Sequence, residues 1–441
     1  MQFYGRKSEL NDLNKLYKLS AKNSQMAVVT GRRRVGKTRL IQKFVEDKSA
    51  LYFVVSRKDE HLLCEEFVDI VQKQTNVKFF GKIEKFHDFF EFLLENFKNK
   101  NYVIVFDEIQ EFKHINPSVY SDIQKLWDIY KDSTSLLLIF SGSVYSMMKD
   151  IFENSKEPLF GRASLKINLN PFDIKTLQDI YLNNVNKADN FDFFAFYAIT
   201  GGVPKYVEYF VDRKIFSFDA IINEIFRENS LFIEEGKSIL IEEFGKEYTT
   251  YFSILSLIAS SKTSRSEIES ILEKDIGGFL QRLEKDFYII KKIKPILSKP
   301  NSRIQKYTIV DNFLSFWFRF IYKYNSAVEI GNYEYLKDVV RRDFNSYAGK
   351  ILEKYFKAKM IIERSFNIIG NYWEKGNKNE IDIVAVNDYE KLVLFAEVKL
   401  DPQKASLDKL KEKSQKVLRK FNNYKVEYHI FSLDDIFITS S

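Results

Sequence analysis

QMAVVTGRRRVGKTRLIQKF (25–44) decides the fold. Its first six residues are β-prone and almost wholly apolar, as suits a strand buried on both faces of a sheet. Gly31-Arg32-Arg33-Arg34-Val35-Gly36-Lys37-Thr38 then fills the pattern G-x-x-x-x-G-K-[ST], and Thr38, Arg39 and the residues after them open a helix. Glycines at both ends let the backbone close around a phosphate. The loop amides and the helix N-terminus aim positive dipole at it. A bare glycine-rich turn would share the glycines but would need neither the preceding strand, nor the lysine, nor the helix.

Four more apolar runs follow: LYFVVS (51–56), YVIVFD (102–107), SLLLIFS (135–141) and SLKINL (164–169). Helical patterns such as FHDFFEFLLENF (86–97) separate them. This alternation predicts an α/β fold, a parallel sheet with helices on both faces. VIVFDEIQ sets Asp107 and Glu108 at the carboxyl edge of that sheet, where such folds bind their ligands. ATP and Mg²⁺ are the expected ligands and ATP hydrolysis the expected activity. Lys37 would reach the β- and γ-phosphates, Thr38 and Asp107 would hold Mg²⁺, and Glu108 would polarise water. Taken alone, an Asp-Glu pair is a strand end meeting solvent; the phosphate loop upstream gives it meaning. Ser143, after the fourth run, is suited either to sensing the γ-phosphate and orienting water or to capping the next helix.

Composition narrows the class. At 441 residues the chain is long enough for two to four domains. A net charge of +7 permits a nucleic-acid partner without requiring one. Cys64 is the only cysteine, so no internal disulfide can form and a reducing compartment is expected. His61, His87, His114 and His429 show no zinc-ligand spacing. No apolar run approaches the ~20 residues that span a bilayer, and MQFYGRKSEL has no signal-peptide core. These readings predict a cytoplasmic protein without a membrane partner.

Residues 171–240 read as helices interrupted by the turn TGGVPKY (200–206). YTTYFSILSLIAS (248–260), a helix begun at Ser264 or Ser266, GGFLQRLEKDFYII and a basic hairpin over 291–310 describe a winged helix-turn-helix. Its third helix would enter a DNA major groove, with Lys291, Lys292, Lys294, Lys299 and Arg303 on phosphates. The alternative is a winged helix that packs against the ATPase. FLSFWFRF (313–320) reads as core rather than as a base-stacking platform.

Residues 340–441 return to a mixed pattern: a helix, two strong strands, a charged helix (403–421) and a last strand near 426–432. Side-chain alternation puts Glu380 with Asp382 on one face and Glu397 with Lys399 on one face. Pairing the two strands would gather Asp382, Glu397 and Lys399. Two carboxylates then hold a divalent ion while a lysine positions water for phosphodiester attack. The alternative is an exposed hairpin with ordinary surface charges.

FYGRKSEL (3–10) resembles the h-h-G-R-x-x-E-h box that precedes the phosphate loop in archaeal-type ATPases of the AAA+/STAND group. Phe160-Gly161-Arg162-Ala163 and Gly201-Gly202-Val203-Pro204 are similar to that family's later motifs. The resemblance implies Arg6 near the nucleotide base, Pro204 against the adenine, and Arg162 as a γ-phosphate or intersubunit arginine. By themselves, Gly201 to Pro204 are a turn and Arg162 is a surface ion pair. The C-terminal E-I-D and E-V-K segments resemble the PD-(D/E)xK nuclease pattern, with Glu353 matching its additional first-helix acid. Ile381 stands where that pattern has proline, and Tyr372-Trp373 where the family often has paired tryptophans. The implied organisation is a P-loop ATPase domain (1–170), a helical lid (171–244), a winged helix (245–325) and an α/β restriction-endonuclease-like domain (326–441). The expected function is ATP-controlled action on nucleic acid, DNA rather than RNA. The alternatives are an ATP-dependent DNA- or protein-binding switch that cuts nothing, and a homo-oligomeric remodelling motor.

Overall fold

The computed structural model describes residues 1–438 apart from Phe80, Asn99, Pro300 and Arg303, and apart from the side chain of Glu242. The chain divides into two compact units, Tyr4–Pro171 and Met1–Phe3 with Phe172–Ser441.

The five apolar runs of the first unit form five strands: β1 (Gln25–Thr30), β2 (Ala50–Val54), β3 (Tyr102–Asp107), β4 (Leu136–Gly142) and β5 (Leu165–Asn168). All pair in parallel, in the order β2-β3-β4-β1-β5. β4 is buried along its whole length, whereas β2 and β5 are only half buried. Expectation and structure part here because β2 and β5 are edge strands; Val54 is 48% exposed. Phenylalanines fill the layer over one face: Phe53, Phe67, Phe89 and Phe106 pack ring on ring. Cys64 is buried beside them, and burial pushes its thiol up to about 12, so it is inert.

The second unit begins with five helices between Ile174 and Phe244. Three more follow, Tyr248–Ala259, Arg265–Leu272 and Gly277–Lys285, the second capped by Ser264 through the amide of Glu267. A short antiparallel pair comes next, β6 (Ile290–Ile293) with β7 (Lys306–Ile309). The helix Asn312–Phe320 is core: a Cβ on Gly236 would lie 2.2 Å from the Trp317 ring, so only glycine lets the two helices approach this closely. The chain ends in the long helix Tyr333–Glu363 and a four-stranded sheet, β8 (Ile368–Tyr372), β9 (Ile381–Asn387), β10 (Leu392–Val398) and β11 (Lys425–Phe431). β8, β9 and β10 are antiparallel neighbours, while β11 joins β10 in parallel after the helix Leu407–Leu418. β8 was not foreseen: IIGNY carries glycine and asparagine and lacks the apolar run that marks β9 and β10.

Candidate functional site

Three strand ends and one loop build the first site. β1 runs into the glycine-bounded loop, and the helix Lys37–Val45 starts from it. Gly31 has φ 151°, and a Cβ there would lie 2.6 Å from the Leu169 carbonyl; Gly36 has φ 89°. Neither position tolerates a side chain, which leaves the loop amides open to a ligand. Arg34 also takes a positive φ, 74°, and with Arg33 is exposed. Val35 is buried. Arg6 secures the loop from outside, donating to the Val35 carbonyl (3.2 Å) and the Asn170 carbonyl (2.6 Å).

Lys37 is 6% exposed, and its Nζ donates to the carbonyls of Gly31 (2.8 Å) and Arg32 (3.2 Å). Burial pulls this ammonium below the usual lysine range, opposed by the charges of Glu108 and Asp107. A buried cation bonded to carbonyls is suited to receiving an anionic phosphate. Thr38 Oγ1 donates to Asp107 Oδ2 at 3.1 Å, joining the loop to the end of β3. Tyr52 reaches the same oxygen from β2 at 2.6 Å, a contact that motif reading missed. The register explains it: Tyr52 lies opposite Val105, and Val105 shares a face with Asp107. Burial and the Asp107 charge both hold the Tyr52 phenol above its usual range.

Glu108 sits just past β3 with φ 57°. Its Oε2 accepts from Ser143 Oγ (2.7 Å), the Ser143 amide (3.1 Å) and Gln110 Nε2 (2.6 Å). Val144, not Ser143, is the N-cap of the helix Tyr145–Glu153, so the capping alternative for Ser143 does not hold; its hydroxyl is engaged by Glu108. Arg162 is tied to Asp128 (2.7 Å) and the Pro158 carbonyl (2.6 Å). Pro204 lies in the second unit, at the first turn of the helix Pro204–Asp212.

In the second unit, Ile383 of β9 faces Ala396 of β10, and extending that register one step sets Asp382 opposite Glu397. Lys399, two residues on, lies 3.5 Å from Asp382 Oδ2 and 3.1 Å from Glu397 Oε1. Sheet pairing thus gathers the three residues that the sequence leaves 17 positions apart at most. Burial opposes the Lys399 charge, but the two carboxylates outweigh it and hold the ammonium above its usual range. Burial raises Asp382, while the Val398 amide, 2.9 Å from its Oδ2, acts the other way. Glu353 comes from the long helix and accepts from Asn371 Nδ2 at 3.0 Å. Burial, then the Asp382 charge, pushes its carboxyl up to about 7.

Two partners here escaped the sequence. Lys413, on the helix Leu407–Leu418, lies 3.2 Å from each oxygen of Glu397. Asn371, on the unforeseen β8, joins Glu353, Lys357 (2.6 Å) and the Asp382 carbonyl (2.8 Å). Among the described residues no group of three or more His, Cys, Asp or Glu gathers as a metal cluster. Of the hairpin lysines, Lys291 and Lys299 are exposed, and Lys292 pairs with Glu284 at 3.3 Å. Arg303 lies outside the described residues.

A five-stranded parallel sheet carrying this loop at the end of β1 defines a P-loop ATPase fold. Comparison with known proteins agrees. A family model described as an ATPase domain predominantly from Archaea matches residues 3–210, and one described as Archaea bacterial proteins of unknown function matches 317–422. An uncharacterised protein of Methanocaldococcus jannaschii is 32% identical over 408 residues, 90% of this chain and 87% of that one. This chain belongs to the same family, an archaeal-type P-loop ATPase family. Among solved structures, the Walker-type ATPase of Pyrococcus abyssi aligns with TM-score 0.54 and 17% identity over 72% of this chain and 96% of that one. The ORC2 protein of Aeropyrum pernix, solved as ADPNP-ADP complexes, aligns with TM-score 0.51 and 12% identity over 77% and 96%. Among the described residues no helix is long and apolar enough to cross a membrane.

Proposed function

We propose that this chain binds and hydrolyses ATP at the loop of the first unit and engages nucleic acid through the centre of the second. The observation that carries the first part is the meeting of Lys37, Thr38 and Asp107 at one sheet edge, with Asp107 bonded to Thr38. The amides of Gly31 to Thr38 cradle phosphate, and Lys37 reaches the β- and γ-phosphates. Arg6 is bonded to the loop carbonyl of Val35, and Arg39 lies in the first turn of the helix that leaves the loop. Thr38, with Asp107 through water, would hold Mg²⁺, which neutralises phosphate charge when bound. Glu108, held by three donors on Oε2, takes the proton of the attacking water. Arg162, bonded to Asp128, would exchange it for the γ-phosphate or for a neighbouring copy in a homo-oligomer, and the adenine contact of Pro204 is what the family resemblance implies. Phosphate release by the full chain and by Lys37→Ala tests this reading; equal turnover would overturn it.

The second part rests on the convergence of Asp382, Glu397 and Lys399. In the nuclease-like reading of 326–441, the two carboxylates would hold a divalent ion and Lys399 orients water, while Glu353, bonded to Asn371, is the acid matched to the first helix and not a metal ligand. One observation favours binding without cleavage. Both oxygens of Glu397 already meet Lys413, and Lys399 bridges the carboxylates, so a divalent ion must displace ammonium groups. Incubation with DNA and RNA, with and without ATP and Mn²⁺, separates the two: cleavage lost in Lys399→Ala supports a nuclease, and binding without cleavage supports an ATP-dependent switch. The segments 171–244 and 245–325 serve as lid and winged helix in either case.

A further inference from the structure

We propose that the β6–β7 hairpin and the Asp382–Glu397–Lys399 centre are two parts of one nucleic-acid backbone site, joined through Asn371; this rests on the nucleic-acid reading above. The sequence leaves open a wing that enters a groove and one that packs. The segment after β6 is fastened to the C-terminal sheet. Ile296 is buried in that sheet's core with Tyr372, Ile381 and Val384, and its N–H donates to the Asn371 carbonyl at 2.7 Å. A Cβ on Gly370 would meet the Ile296 side chain at 3.3 Å. From β7, Lys306 pairs with Glu380 (2.8 Å) and lies over the Trp373 ring (4.7 Å). Lys420 donates to the Leu297 carbonyl at 3.3 Å.

Asn371 receives this attachment on its backbone, while its side chain faces the centre. Its amide nitrogen donates to Glu353 Oε2 and the Asp382 carbonyl, and its oxygen accepts from Lys357. Lys357 in turn lies 3.8 Å from Glu353; burial pulls its ammonium below the usual lysine range, opposed by the charges of Glu353 and Asp382, whereas Lys291 on β6 is exposed. Ammonium groups therefore lie on both sides of this junction: exposed Lys291 on β6, and Lys399 and Lys413 about Glu397, with Lys357 bonded to Asn371 between the two parts. They come from four elements, too widely spread for one phosphate but suited to a polyanion that meets several at once. A nucleic-acid strand crossing from Lys291 to Lys399 fits that chemistry.

Lysine-reactivity footprinting on the full chain, titrated with short single-stranded DNA, duplex DNA and single-stranded RNA, tests the assignment. Lys291 and Lys399 should be protected with a common midpoint. Lys425 should stay reactive, because it opens β11 beside Leu392, at the far end of the sheet from Lys399. Lys291→Ala should weaken binding severalfold and lower the salt slope by about one, and this exposed site leaves the fold intact. Asn371→Ala should separate the two midpoints, which a merely structural role would not do. Protection of Lys291 and Lys399 at different midpoints, or of neither while the probe still binds, overturns the joint site alone. No binding of any probe overturns the nucleic-acid reading with it and leaves the ATPase reading standing.

Discussion

The hydroxyl of Ser143 lies 2.7 Å from Oε2 of Glu108, and the Ser143 amide holds the same oxygen at 3.1 Å. The residues that follow β4 and β3 are thereby locked together at the sheet edge where the phosphate loop opens. The proposed base is positioned by these contacts. Glu108→Gln should keep ATP binding and lower kcat by roughly 10²-fold or more. Ser143→Ala should lower kcat about tenfold with little change in KM, since it loosens Glu108 without touching nucleotide. Steady-state kinetics distinguishes this from a binding role, in which KM would rise and kcat would hold.

Lys37→Ala removes the one buried ammonium of the loop and should abolish tight ATP binding. Calorimetry at unchanged affinity would refute the assignment. Gly31→Ala should instead destabilise the first unit by about 1–3 kcal/mol, because its φ of 151° and the Leu169 carbonyl leave no room for a methyl group.

Tyr52 and Thr38 share one oxygen of Asp107. Tyr52→Phe should raise the Mg²⁺ concentration for half-maximal turnover by roughly tenfold while leaving metal-free ATP binding unchanged. A Mg²⁺ titration of the ATPase rate reads this directly, and coincident curves would remove Tyr52 from the site.

Glu353 has its folded-state carboxyl raised to about 7. The folded protein therefore binds the extra proton where the unfolded chain has lost it. Its contribution is complete below the ordinary carboxyl range and is lost as pH rises through about 7, at most about 3 kcal/mol. Thermal unfolding of the wild type should fall between pH 5 and 7.5 relative to Glu353→Gln. Parallel profiles would show that Glu353 is ionised throughout.

Lys413 competes for Glu397. Lys413→Ala should tighten Mn²⁺ binding at the second centre, measured by calorimetry in a Lys37→Ala background without nucleotide, and Asp382→Asn should weaken it. If Lys413→Ala leaves Mn²⁺ affinity unaltered, the ammonium does not gate the centre.

The sequence by itself determined the first unit. Strand, glycine loop, Lys37 and helix are contiguous in 25–44, and local chemistry suffices to read them. Asp107 was legible because a buried strand must end at the ligand edge of a parallel sheet. Asp382, Glu397 and Lys399 were legible as a pattern, since strand alternation and hairpin pairing are short-range rules. Tertiary structure alone decided the partners. Tyr52 reaches Asp107 through a register between strands whose pairing residues stand about fifty positions apart. Lys413 meets Glu397 only once the helix Leu407–Leu418 packs on the sheet through Leu410 and Val417. Asn371 acquires its role because β8 joins the sheet and the residues after β6 fold onto it. A motif records which groups a chemistry needs. Long-range packing sets what each group touches, because burial and neighbouring charge are properties of the folded surroundings and not of the local chain.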